Sequence, residues 1–234
     1  MLDRLASQAV SLADRFAAGV TGTAEQRRAE LLDVVPAIVD YYTDGSAALA
    51  ADFYDDARER AGAAGAFRSE PVVADRTVKI RRGVAWAAEP WVQAAAGVIA
   101  VGSVSERLAE VVSIEIARPY RDTITANRRR DPQSVGWRRI TAPGACGFCM
   151  MLADKGAIYK QETARFAAHN SCMCTAEPVF RGQAVGPEAS VLQYTASKRK
   201  RTEAEKADIR YWVKQYESRG ATWYSDYLRD LRAA

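Results

Sequence analysis

One histidine, His169, is all that this chain of 234 residues has, beside four cysteines and four methionines. Hydrolytic and nuclease centres that need several imidazoles for base and cation therefore have little to draw on. Long hydrophobic runs are missing too. The most apolar stretch, "WVQAAAGVIAV" (91–101), falls short of the roughly 20 residues a helix needs to cross a bilayer. Neither a G-x-x-x-x-G-K-[ST] phosphate loop nor a G-x-S-x-G nucleophile elbow occurs. No repeat and no low-complexity linker is visible. The first residues, "MLDRLASQAVSLADRF", mix Asp and Arg into the apolar positions, unlike a signal-peptide core. The chain is therefore expected to be made in a cytoplasm, to have no membrane partner and not to be an enzyme.

What is present points to a folded, largely helical protein. Apolar residues make up 48% and charged residues 26%, which excludes wholesale disorder. The net charge is only +4, but the basic residues are bunched. "RTVKIRRG" (76–83), "NRRRD" (127–131), "WRR" (137–139) and "SKRKR" (197–201) are the dense patches. Such patches can neutralise phosphates, so contact with nucleic acid is one expectation. The plainer expectation is solvated helix ends, with Arg128, Arg129 and Arg130 closing a helix where cations suit the macrodipole.

Steps of three and four place Leu2, Leu5, Ala9, Leu12, Phe16 and Val20 on one helix face. A second helix is predicted over 24–42 with Pro36 kinking or interrupting it, and after a "TDGS" break a third over 47–65, ending in glycines. Residues 84–126 are again helical, divided by Pro90 and Gly102, with Ser105 as the predicted N-cap of the last helix and Pro119 bending it. The texture changes at 129–149, where prolines and glycines punctuate and "VGWRRIT" has the composition of a strand. "CGFCMMLADKG" is predicted as a helical turn stopped by Gly156, with "AIY" (157–159) and "CTAEPVF" (174–180) as short strands. The tail is helical, with Gly220 as a break. Its aromatics, Tyr211, Trp212, Tyr216, Trp223, Tyr224 and Tyr227, face either the chain's own core or a partner surface. The fold class expected is mainly α: a helical region over 1–130, a small α+β Cys/His module over 131–187 and a helical tail over 188–234.

Every cysteine lies with the histidine in "CGFCMMLADKGAIYKQETARFAAHNSCMC" (146–174). Cys146 and Cys149 have the C-x-x-C spacing in which two thiolates on one turn reach the same ion. His169, Cys172 and Cys174 follow as H-x-x-C-x-C; an extended backbone over 172–174 would point both thiols to one face. Five candidate ligands then stand ready for a tetrahedral ion. Three cysteines with the histidine would suit a structural zinc, and so would four cysteines alone. Packed or disulfide-linked cysteines are the bland alternative. A redox pair is disfavoured because no βαβ pattern surrounds Cys146. A Cys–His nucleophile would leave the later cysteines unexplained. "HN" at 169–170 is also similar to the start of an HNH-type nuclease motif, but one histidine equips such a centre poorly. Asp154 and Glu162, between the ligand groups, are expected merely to solvate.

At these residues the chain resembles a family. "WRRITAPGACGFCMMLADKGAIY" followed by "FAAHNSCMCTAEPVF" is similar to the C-terminal module of the Mu-F-like minor head proteins of tailed bacteriophages, of the actinophage type. The matching positions are Cys146, Cys149, Gly156, Tyr159, His169, Cys172, Cys174 and Pro178, within residues 137–180. The resemblance implies a low-copy virion protein of the head that meets the portal protein and the major capsid protein, and assists head assembly, DNA packaging or ejection. It also implies a zinc-binding or fold-stapling role for the cysteines and histidine. The alternatives are a zinc-dependent nucleic-acid-processing enzyme of HNH type and a free-standing DNA-binding zinc module.

Overall fold

The structure is a computed structural model that describes residues 1–154, 172–183 and 202–222, with positions 226 and 230. Among the described residues it is mainly helical. In chain order the elements are α1 (Leu2–Gly19), α2 (Ala24–Arg60), α3 (Thr77–Ala95), α4 (Val104–Arg130), β1 (Ser134–Ile140), α5 (Gly147–Asp154), β2 (Thr175–Phe180) and α6 (Glu203–Arg219). They group into two compact units. One is built mainly from 1–52 and 70–123, the other mainly from 53–69, 124–154, 174–183 and 202–222. No helix among the described residues is long and apolar enough to cross a membrane.

In the first unit α1 buries Leu2, Ala9 and Val20 of the predicted face, leaves Leu5 and Phe16 half-buried, and turns toward its alanines. Leu2, Ala6, Ala9, Ala13 and Ala17 are buried, while Leu12 is 38% exposed. Small side chains let a neighbouring backbone approach closely, so alanines rather than the larger apolar residues make the seam. The "TDGS" turn signal is also overridden. Helix α2 runs unbroken through Pro36 and through residues 43–46. The Thr43 hydroxyl donates to the Asp40 carbonyl at 2.8 Å, and the buried Ser46 hydroxyl donates to the Ile116 carbonyl at 2.6 Å. Polar groups that would favour a turn are thus satisfied within a helix whose following residues, Ala47, Ala50 and Ala51, are buried. The helix ends where glycine predicted it. Gly62 has φ +62°, its N–H bonds the Glu59 carbonyl, and the Ala63 N–H bonds the Arg58 carbonyl, the paired bonds of a Schellman motif.

Pro90 lies inside α3 and Pro119 inside α4, so neither helix stops at its proline. The N-cap of α4 is Ser103, not Ser105. Its hydroxyl accepts from the Glu106 N–H at 3.2 Å, and the Glu106 carboxylate accepts from the Ser103 N–H at 2.7 Å, a capping box. The Ser103 N–H, and then the Ser103 hydroxyl donating at 3.1 Å, hold the Glu106 carboxyl below its ordinary range. The apolar run that seemed a helix is split. After α3 ends, Val98, Ile99 and Val101 are exposed in the connection to α4. Within this unit Arg76 forms a two-armed ion pair with the buried Glu115, and Arg81 donates to the Leu32 carbonyl.

In the second unit β1 and β2 pair antiparallel, with Trp137 opposite Pro178 and Arg138 opposite Glu177. Period-two alternation buries Trp137 and Arg139 and leaves Arg138 and Ile140 exposed. The "WRR" patch is thereby divided: Arg138 pairs with Glu177 across the strands, whereas Arg139 is buried. Tyr54, at the end of α2, packs its ring on Phe180 and Phe67. Its hydroxyl and the Arg58 guanidinium both donate to the buried Asp131 carboxylate, at 3.4 and 3.0 Å. Helix α6 starts at a capping box of Thr202 and Glu205, and Gly220, with φ +97°, follows its end. Tyr216 and Trp212 pack inward against Met151 and Leu152, and Tyr211 is exposed. The expected strand at 157–159, Gly156, Tyr159, Glu162, the 197–201 patch and Trp223, Tyr224 and Tyr227 lie outside the described residues.

Candidate metal centre

The cysteine module is positioned by close packing of α5 on α6. Helix α5 opens at Cys146, whose carbonyl accepts the Met150 N–H at 3.0 Å. Gly147, the first helical residue, lies against α6 so tightly that a Cβ there would sit 2.3 Å from the Val213 carbonyl oxygen. Only glycine allows that approach, since any side chain would press on helix backbone. One turn further on, Met151 and Leu152 form a small core with Tyr216, flanked by Phe148, Met150 and Trp212. The Tyr216 hydroxyl donates to the Asp154 carboxylate at 2.9 Å, with both residues buried. Asp154, expected only to solvate, instead ties the end of α5 to α6.

This packing presents Cys149 inward. Cys149, Cys172 and Cys174 are 1%, 3% and 2% exposed, and their sulfurs all lie within 4.8 Å of one another. Burial alternates over 172–174, with Met173 half-buried between the two cysteines, as an extended segment leading into β2 should show. Cys146 is half-buried and does not belong to that group of three. All four cysteines are free thiols. His169 lies outside the described residues.

Two buried arginines flank the cluster. The Arg139 guanidinium donates to the Cys149 sulfur at 3.8 Å. Arg121, buried in α4, donates to the Cys172 carbonyl. A cation beside sulfur favours the thiolate, which is the form that ligates metal. Four sulfurs on zinc, at Zn–S distances of about 2.3 Å, stand about 3.8 Å apart. Three thiols gathered within 4.8 Å are therefore close to the separation a thiophilic ion imposes, and the donor set fits zinc. Among the described residues, Cys149, Cys172 and Cys174 are the group that could hold such an ion.

Sequence spacing pointed to the cysteines but to none of their supports. Arg139 read as part of a basic patch, and only its place two residues after Trp137 in a strand signals that it turns inward. Nothing in the sequence marked Gly147 as a close-packing position. Arg121 carried no signal at all.

A mainly helical chain with a small, cysteine-bearing α+β module is the class of protein that this fold and this cluster define. The family model of the VG15 protein matches residues 1–218, and the chain belongs to that family. Membership indicates a phage protein. No curated protein and no solved structure matches the chain.

Proposed function

We propose that this chain is a minor structural protein of the phage head, associated with the portal vertex and not an enzyme. It assists head assembly, DNA packaging or ejection, and it meets the portal protein and the major capsid protein. The protein is made in the host cytoplasm and ends in the virion head. The observation that carries this reading is a phage-family match across 1–218 on a chain whose Mu-F-like cysteine pattern gathers three thiols in one buried cluster. The cluster serves as a zinc clamp. The module's sheet has two strands and α5 has eight residues, and a site formed only on folding turns metal-binding energy into folding energy.

Quantitative mass spectrometry of purified virions tests the reading. The expected result is the chain at a few copies for each portal ring, far below the major capsid protein. Its absence from filled, purified particles, with abundance in the infected-cell extract, would overturn the structural role. Specific DNA cleavage by the pure protein would overturn the non-enzymatic part.

A further inference from the structure

We infer that the groove between α1 and Tyr42 of α2 is a binding site for a single strand of nucleic acid, with Arg4 and Arg15 on its phosphates and the Tyr41–Tyr42 pair against its bases. The groove lies wholly within the first unit. The inference goes beyond the virion role proposed above and does not depend on the zinc clamp. Arg4, Ser7, Gln8, Ser11, Leu12 and Arg15 line an open cavity of about 500 Å³ together with Tyr42. Steps of three and four put these six residues on one side of α1, while the seam alanines Ala9 and Ala13 are buried on the other. The exposure of Leu12 has its reason here, since Leu12 is the apolar wall of the groove.

The chemistry of the lining selects the ligand. Two guanidiniums, two serine hydroxyls and a glutamine amide line the groove, and no carboxylate does. Asp3 and Asp14 sit about 100° round the helix from the arginines and are not part of the lining. Among the described residues neither Arg4 nor Arg15 has an ion pair or a side-chain hydrogen bond. Arginines of the dense basic runs are engaged instead: Arg76 with Glu115, Arg81 with the Leu32 carbonyl and Arg138 with Glu177. Arg4 and Arg15 stand three turns apart, about 16 Å along the helix axis. A strand with successive phosphates meets both ends of that span, whereas one phosphate meets only one. Tyr42 makes the far wall aromatic, and Tyr41, 76% exposed, stands edge-on to it with ring centroids 5.3 Å apart. Rings beside a cationic track suit an unpaired strand, whose bases are free to stack on them, better than a duplex, whose bases already stack on one another.

Fluorescence anisotropy of the full chain with a labelled single-stranded oligothymidylate, over a series of salt concentrations, decides the matter. The wild-type chain should bind at low salt. Arg4→Gln combined with Arg15→Gln should make the plot of log K against log salt shallower by about 1.4, the slope of two phosphate contacts on a single strand. Tyr41→Ala should weaken binding at least about 5-fold, as the loss of one stacked base does, and leave the salt slope unchanged. Lys79→Gln combined with Arg82→Gln removes the same charge from exposed positions of α3 and should change the slope less than half as much. All of these side chains are exposed, so the variants should keep the circular dichroism and urea midpoint of the wild type. No binding by the wild-type chain, an unchanged slope in the α1 double variant, an equal change in the α3 control, or a Tyr41→Ala loss as large on the matching duplex would each overturn the inference. None of these results bears on the presence of the chain in virions, so the structural role stands or falls separately.

Discussion

The two units solve the packing problem with different side chains. In the first, aliphatic side chains fill the interior: Ala9, Ala13, Ala47, Ala50, Ala87, Ala88 and Ala117 are sealed from solvent beside Leu31, Val35, Val84, Leu108 and Ile116. In the second, the four largest fully buried side chains of the described residues, Trp137, Tyr54, Tyr216 and Phe180, surround a two-stranded sheet and a short helix. A seam of small residues gains its stability from close backbone approach and has no room to spare. A core of a few large rings beside short elements gains more from each residue, and it is correspondingly exposed to the loss of any one support. Cys149 and Cys174 belong to this second arrangement, which is where a metal clamp would matter most.

The largest test of that contrast is metal removal. If zinc holds the module, chelation should destabilise the second unit by about 4 kcal/mol relative to protein with zinc a thousandfold above Kd. Denaturant unfolding followed by near-UV circular dichroism of Trp137, with and without chelator, reads the difference. Cys174→Ser should abolish the dependence on chelator. Next come substitutions that add volume where each unit is tightest. Gly147→Ala, which sets a methyl against the Val213 carbonyl, and Ala13→Leu in the α1 seam should each cost about 1–3 kcal/mol in urea midpoints. Leu12→Ala, on the exposed side of the same helix, should fall within about 0.5 kcal/mol of wild type.

A smaller effect should appear at alkaline pH and only in the second unit. Burial, and then the charge of Asp131, push the Tyr54 phenol well above its ordinary value. The folded state therefore keeps a proton that the unfolded chain releases near pH 10. Stability should be intact below about pH 10 and should fall above it by up to about 1.4 kcal/mol per pH unit. Urea midpoints at about pH 9 and about pH 11, compared with those of Tyr54→Phe, isolate the contribution. The smallest effect expected is a gain. Gly45→Ala, at a helical position of α2 where a Cβ meets nothing within 4 Å, should stabilise the first unit by about 0.4–1 kcal/mol.

Much of the fold was legible where local signals agree with one another. The strand composition at 135–141, the helical turn after Cys146 and the basic last turn of α4 all stand where the residue pattern put them. Local signals failed where a tertiary contact outweighed them. Residues 43–46 read as a turn because Thr, Asp, Gly and Ser favour turns, yet Ser46 finds its acceptor on Ile116, seventy residues away. Ser105 and Ser103 both precede the α4 pattern, and only Ser103 has Glu three residues later to complete the reciprocal bonds. On α1 the predicted face holds at Leu2, Ala9 and Val20 and fails at Leu12, because periodicity counts large apolar residues, whereas Ala6, Ala13 and Ala17 are also buried there.

From residues alone follow the helical class, the location of the ligand-bearing stretch and the five side chains able to ligate, because propensity, spacing and donor chemistry are local properties. Which of those five meet is not local. The Cys149 and Cys174 sulfurs are brought together through the β1–β2 register, the turn that starts α5 and a glycine that lets α5 rest on α6 backbone. The inward place of Arg139 has the same origin. Alternation along a strand says that every second residue shares a face, but the face that is buried is set by what packs against it, and here that is the side of Trp137 and the Cys149 sulfur.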